Sequence, residues 1–114
     1  MAESDEIVLY KAPQKGRDAS NEVVNGFDPA LYTENGPYFT TVRTIAQGFQ
    51  EIYRNGMQKL YLPKAIFEEL LEQGIIGPDL YYKPGRYHVP ASALRQFNEA
   101  IRLGTQNFHE PEKG

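Results

Sequence analysis

Cysteine and tryptophan are both missing from this chain of 114 residues, and histidine and methionine occur only twice each. Without thiols there can be neither a disulfide framework nor a thiolate zinc site. His88 and His109 are isolated imidazoles, which make a poor metal site; a structural hydrogen bond is expected for His88 and a solvated position for His109. No apolar run approaches the roughly 20 residues of a membrane span. With a formal charge of -3 there is no cationic excess for nonspecific nucleic-acid binding. Glycine-rich phosphate loops, HExxH and GxSxG are absent as well, so no short motif names a reaction by itself.

What is present is the composition of one soluble globular domain, 40 % apolar and 24 % charged. One domain over residues 1–114 is expected, with loose tails at 1–6 and 105–114. The opening MAESDE is acidic where a secretory signal would be basic and then apolar, so a cytoplasmic protein is expected.

The stretch from Gly36 to Leu62 reads as strand, helix, strand and organises the rest. Tyr38-Phe39-Thr40-Thr41 is aromatic and β-branched, and follows the turn formers Gly36-Pro37. Val42, Ile45, Ala46, Phe49, Ile52 and Tyr53 then recur at steps of three and four, which predicts a helix with one apolar stripe. Thr41 can cap its start and Asn55-Gly56 can end it. Met57 to Leu62 is the strand that follows.

Around this unit, Ile7 to Tyr10 is a buried-strand candidate, and Asp18 or Ser20 can cap a short helix closed by Asn25-Gly26. Phe27 to Asn35 is a long loop rich in turn formers, of the length that often binds something. Ile66, Phe67, Leu70 and Leu71 predict a second amphipathic helix after Pro63, and Leu94, Phe97 and Ile101 a third after Pro90. Between these helices Lys83-Pro84-Gly85 suggests a hairpin turn into Arg86-Tyr87-His88-Val89. The segments beginning at Leu60 and Tyr87 both run strand, proline, helix, glycine, two uses of one junction. Tyr81, Tyr82 and Tyr87 suit either an aromatic face for a partner or cross-strand packing. An α+β domain follows, with a central mixed or antiparallel sheet and three to four short helices.

A strand ending in Lys11, beside a second strand with hydroxyls at a helix N-terminus, would make a site for an anionic ligand such as a pyrophosphate. Taken singly, Lys11 reads as a solvated strand end, Thr41 as a cap and Glu51 as a surface glutamate.

VLYKAP, GPYFTT and VRTIAQGFQEIY together resemble the ADP-ribosyltransferase-like fold, with its small bacterial polymorphic-toxin versions and the related RES-type NAD-degrading toxins. The likeness covers roughly the first half of the chain. It implies NAD as a substrate, no metal, and transfer of ADP-ribose to a target or simple NAD hydrolysis. Lys11 would stand where the NAD-contacting arginine or histidine stands, next to Tyr10, and Thr40 or Thr41 would frame the ribose. Tyr38 or Phe49 would stack on the nicotinamide, and Glu51 or Glu110 would face the developing cation. A protein target or an immunity-type partner follows from the same resemblance, as does delivery into a target cell. Lysine lacks the planar fork of arginine and the neutral imidazole of histidine, so the alternative is a non-catalytic protein-binding module, either a degenerate relative of that fold or an unrelated domain, that holds a protein partner with the Phe27 to Pro37 loop and the tyrosine hairpin.

Overall fold

A computed structural model describes residues 6–78, 85–102 and 107–110, without the side chain of Arg102. Six strands form one antiparallel sheet: β1 (Glu6–Lys11), β2 (Tyr38–Thr40), β3 (Met57–Pro63), β4 (Gly77–Pro78), β5 (Arg86–His88) and β6 (Asn107–Glu110). Their order across the sheet is β4-β5-β2-β1-β3-β6. Four α-helices complete the described chain, α1 (Ala19–Asn25), α2 (Arg43–Tyr53), α3 (Lys64–Glu72) and α4 (Leu94–Arg102), with short 3-10 turns at Pro29–Leu31 and Ala91–Ala93. The fold is thus α+β, and among the described residues no helix is long and apolar enough to cross a membrane.

Period-two alternation sorts the strand residues onto two faces. On one face Leu9, Phe39, Leu60 and Leu62 are buried with Phe27 of the long loop, Phe67 and Leu70 of α3, and Leu94, Phe97 and Ile101 of α4. Phe27 and Phe97 close this core, with ring centroids 5.5 and 5.3 Å from that of Phe39. The opposite face carries Tyr10, Thr40, Arg86 and Lys59, which the registers align across four strands. α2 lies against that second face, with the guanidinium of Arg86 5.1 Å from the Phe49 ring.

The central unit folds as the residue pattern predicts, with shifted ends. Thr41 does not cap α2: Val42 is the N-cap residue and makes no side-chain cap bond. Instead Thr40 Oγ1 accepts from the Val42 amide at 3.0 Å. At the other end the C-cap is Arg54, left-handed at φ 54°, and Gly56 follows at φ 77°. Asp18 caps α1, accepting from the Asn21 amide at 3.1 Å. The repeated junction is real at the backbone: Pro63 (φ -56°, ψ 139°) and Pro90 (φ -55°, ψ 145°) stand before their helices in nearly the same conformation.

Two expectations are corrected. The segment from Thr105 was expected to be loose, yet Asn107–Glu110 is an edge strand paired with β3 from Met57 to Leu60. Its backbone supplies the pairing, and Phe108 meets the Tyr61 ring edge-on at 5.7 Å; neither contact leaves a period in the sequence. His109 is then partly buried rather than solvated. Its Nε2 donates to the Asn55 carbonyl at 3.1 Å and its Nδ1 accepts from the Ser20 hydroxyl at 3.1 Å. His88 makes the expected structural bond, Nδ1 to the Asn35 carbonyl at 2.9 Å. Tyr81, Tyr82 and the Lys83-Pro84 turn lie outside the described residues. Tyr87 packs edge-on against Phe67 at 5.4 Å, inside the molecule.

The long loop is held at its two ends. Asn98 accepts from the Phe27 amide at 2.9 Å and donates to the Phe27 carbonyl at 2.8 Å. Gly36, at φ 69°, lies directly against the Val89 carbonyl, where a side chain has no room. Between these points the loop turns through Asp28, whose carboxylate accepts from Ala30 at 2.9 Å, and brings Leu31, Tyr32 and Thr33 beside β1 and β2.

Candidate functional site

β1 and β2 are joined at a single register pair, Tyr10↔Thr40. Past it the strands part, since β1 runs into Ala12-Pro13 and proline has no amide to donate. A cavity of about 270 Å³ opens at the divergence. Tyr10 and Lys11 of β1, Tyr38, Phe39 and Thr40 of β2, Ala46 and Phe49 of α2, and Tyr32 of the loop form its walls. Arg17 and Arg86 complete the lining.

Lys11 is not a solvated strand end. It is 7 % exposed, and its Nζ lies 5.6 Å from the Tyr32 ring centroid and 6.0 Å from that of Phe27. Burial pushes the amine down to about 8, against the attraction of Glu22 and with some help from Arg17. Glu22, itself buried, accepts from the Tyr32 hydroxyl at 2.5 Å and from Gln58 Nε2 at 2.9 Å. The same Gln58 amide donates to the Ala19 carbonyl at 3.2 Å. The Tyr32 phenol is pushed well above its ordinary range, first by burial and then by its bond to Glu22. Arg17 covers this ring at 4.0 Å and donates to the Leu31 carbonyl at 2.9 Å.

Of the residues singled out in the sequence, Tyr10, Lys11, Tyr38, Thr40 and Phe49 lie on the cavity wall. Thr41 does not; its amide donates to the Gly85 carbonyl at 2.9 Å, joining the start of α2 to β5. Glu51 is exposed and two residues beyond Phe49, so it projects from the far side of α2. Glu110 is on β6, on the sheet face that carries Tyr10 but two strands away, and pairs with Arg43 at 3.5 Å and Lys59 at 3.3 Å. Neither glutamate lines the cavity.

Arg17, Tyr32, Arg86 and Glu22 went unnoticed in the sequence. Arg86 reaches the cavity because its register partner is Thr40, a pairing that no local pattern encodes. Tyr32 sat in a loop already marked by its length, which was the available signal. Three cationic side chains therefore meet several aromatic rings, and among the described lining residues there is no carboxylate. Such a wall suits an anionic ligand that carries a flat ring. Among the described residues no group of three or more metal-ligating side chains is assembled. Compared with protein-family models, with curated proteins and with solved structures, the chain matches none.

Proposed function

We propose that the protein is a NAD-binding domain of the ADP-ribosyltransferase-like kind, with the cavity beside Tyr10 and Thr40 as its site. One observation carries the reading: Lys11, Tyr38, Thr40 and Phe49, from three separate segments that the resemblance brings together, line a single cavity. The pyrophosphate would sit against Lys11 and the guanidinium groups, a ribose hydroxyl against Thr40, and a ring against Phe49 or Tyr38. At about 270 Å³ the cavity is slightly smaller than the roughly 300–1,000 Å³ of most ligand sites. A dinucleotide would seat one half and lay the other along the mouth.

Cleavage of the nicotinamide bond generates an oxocarbenium-like ribose that a carboxylate stabilises. Of the two glutamates, Glu110 shares a sheet face with Tyr10 and is the one we assign to that task, in transfer to a target or in hydrolysis, for which it would have to leave Arg43 and Lys59 and reach the cavity. A toxin role would follow from either. The second reading is a non-catalytic binding module, and the absence of a carboxylate among the described lining residues favours it.

Incubation of the purified protein with NAD, with nicotinamide release followed by chromatography, separates the two. Release that Glu110→Gln abolishes in a folded protein supports turnover. Saturable NAD binding without release supports a site that has lost its catalysis, and no binding and no turnover at millimolar NAD rejects the NAD reading and favours the protein-binding module.

A further inference from the structure

We propose that Lys11 is a carbonyl-trapping amine: the cavity admits a small aldehyde or ketone that carries a phosphate or carboxylate, and Lys11 Nζ condenses with its carbonyl carbon to form an imine. Three features of the site lead there. Lys11 lines the cavity and is only 7 % exposed, so the residue is shielded from bulk water. Among the described residues Nζ has no hydrogen-bond or ion-pair partner. Glu22, the carboxylate that acts on it, is engaged by Tyr32 and Gln58 instead. Beside the amine is one guanidinium group, that of Arg17, 4.0 Å from the centroid of the same Tyr32 ring, and its forked donors fit the oxygens of a phosphate or carboxylate.

Burial without a bonded counter-ion disfavours the ammonium form and leaves a nucleophile. With its pKa at about 8, roughly a tenth of Lys11 is neutral at pH 7, against fewer than roughly one in a thousand for a lysine at the ordinary 10.5. The neutral amine adds to the carbonyl carbon, and its two protons leave with the carbonyl oxygen as water. One C=N bond replaces one C=O bond, and nothing is oxidised or reduced.

The inference stands on the amine and the cavity, not on NAD as the ligand, and its test reads neither NAD binding nor turnover. Pyridoxal phosphate, an aldehyde with a ring and a phosphate, is added below one equivalent to the folded protein. Borohydride then fixes any imine, and peptide mapping by mass spectrometry gives the label at each lysine. Lys15 and Lys64, both exposed, serve as internal standards. Lys11 is expected to carry at least about ten times the label of either, to lose that preference when the chain is unfolded in urea, and to show a smaller Lys11-to-Lys15 ratio with phosphate-free pyridoxal. Label spread evenly over the three lysines, or concentrated on Lys15 and Lys64, overturns the proposal. An equal ratio for the two aldehydes overturns its anionic part. Because the comparison is made within the unaltered chain, no variant has to fold.

Discussion

The Tyr32 hydroxyl donates a 2.5 Å hydrogen bond to Glu22 Oε2, and this bond ties the long loop before β2 to the helix behind the cavity. The ring it fixes meets two cations, with Lys11 Nζ at 5.6 Å and the Arg17 guanidinium at 4.0 Å from its centroid. Tyr32→Phe keeps the ring and removes the donor, so a buried carboxylate oxygen loses its partner. A loss of about 1–3 kcal/mol is expected, read as a lower urea midpoint. An unchanged midpoint would mean that the loop is held by Asn98 and Gly36 alone.

Lys11 makes stability depend on pH with a definite sign. Its folded pKa of about 8 lies below the ordinary 10.5, so between those values the unfolded chain binds more protons and stability rises with pH. The cost of the buried charge is complete below pH 8 and is relieved towards 10.5. Glu22 opposes it and Arg17 adds to it; Tyr32, raised above its ordinary value of 10, works the other way as pH approaches and passes 10, an effect common to the two proteins compared next. Lys11→Met removes the charge and is expected to be more stable than the natural chain by up to about 3 kcal/mol at neutral pH, an advantage that shrinks as pH rises from 8 to 10.5. Urea denaturation of both proteins at several pH values measures the difference. A constant difference, or one that grows with pH, contradicts the buried cation.

Gly36 sits at the mouth of the cavity with φ 69° and no space for a Cβ beside the Val89 carbonyl. Gly36→Ala meets both a left-handed backbone and a backbone clash, so a loss of more than about 2 kcal/mol is expected. Gly48 provides the contrast, since nothing lies within 4 Å of its added Cβ and it is helical. Gly48→Ala is expected to stabilise by roughly 0.5–1 kcal/mol. Equal thermal shifts for the two variants would contradict this placement of the loop.

The elements with their own periodicity were legible in the sequence: the stripe of α2, the buried faces of α3 and α4, and the strand that ends at Lys11. What depends on distant partners was not. β6 exists because β3 offers an open edge, and Arg86 faces the cavity because it pairs with Thr40. Lys11 looked solvated because a strand-end lysine usually is; Phe27 and Tyr32, from a loop without a pattern, bury it. The same logic separates the candidate site residues. Tyr10, Lys11, Tyr38, Thr40 and Phe49 lie on elements whose place was readable, whereas the position of a glutamate on α2 or near the C-terminus depends on helix rotation and on a strand that the sequence did not announce.

The most direct measurement is a calorimetric titration of NAD into the natural chain and into Ala46→Leu. Ala46 is 2 % exposed and lines the cavity from α2, so a leucine there fills part of the space while keeping the helix. Saturable binding by the natural chain, weakened at least about tenfold in a variant whose circular dichroism is unchanged, is the expected result; tenfold corresponds to about 1.4 kcal/mol. Equal binding by both proteins would place NAD elsewhere on the molecule, and no binding by the natural chain at millimolar NAD would contradict the central claim.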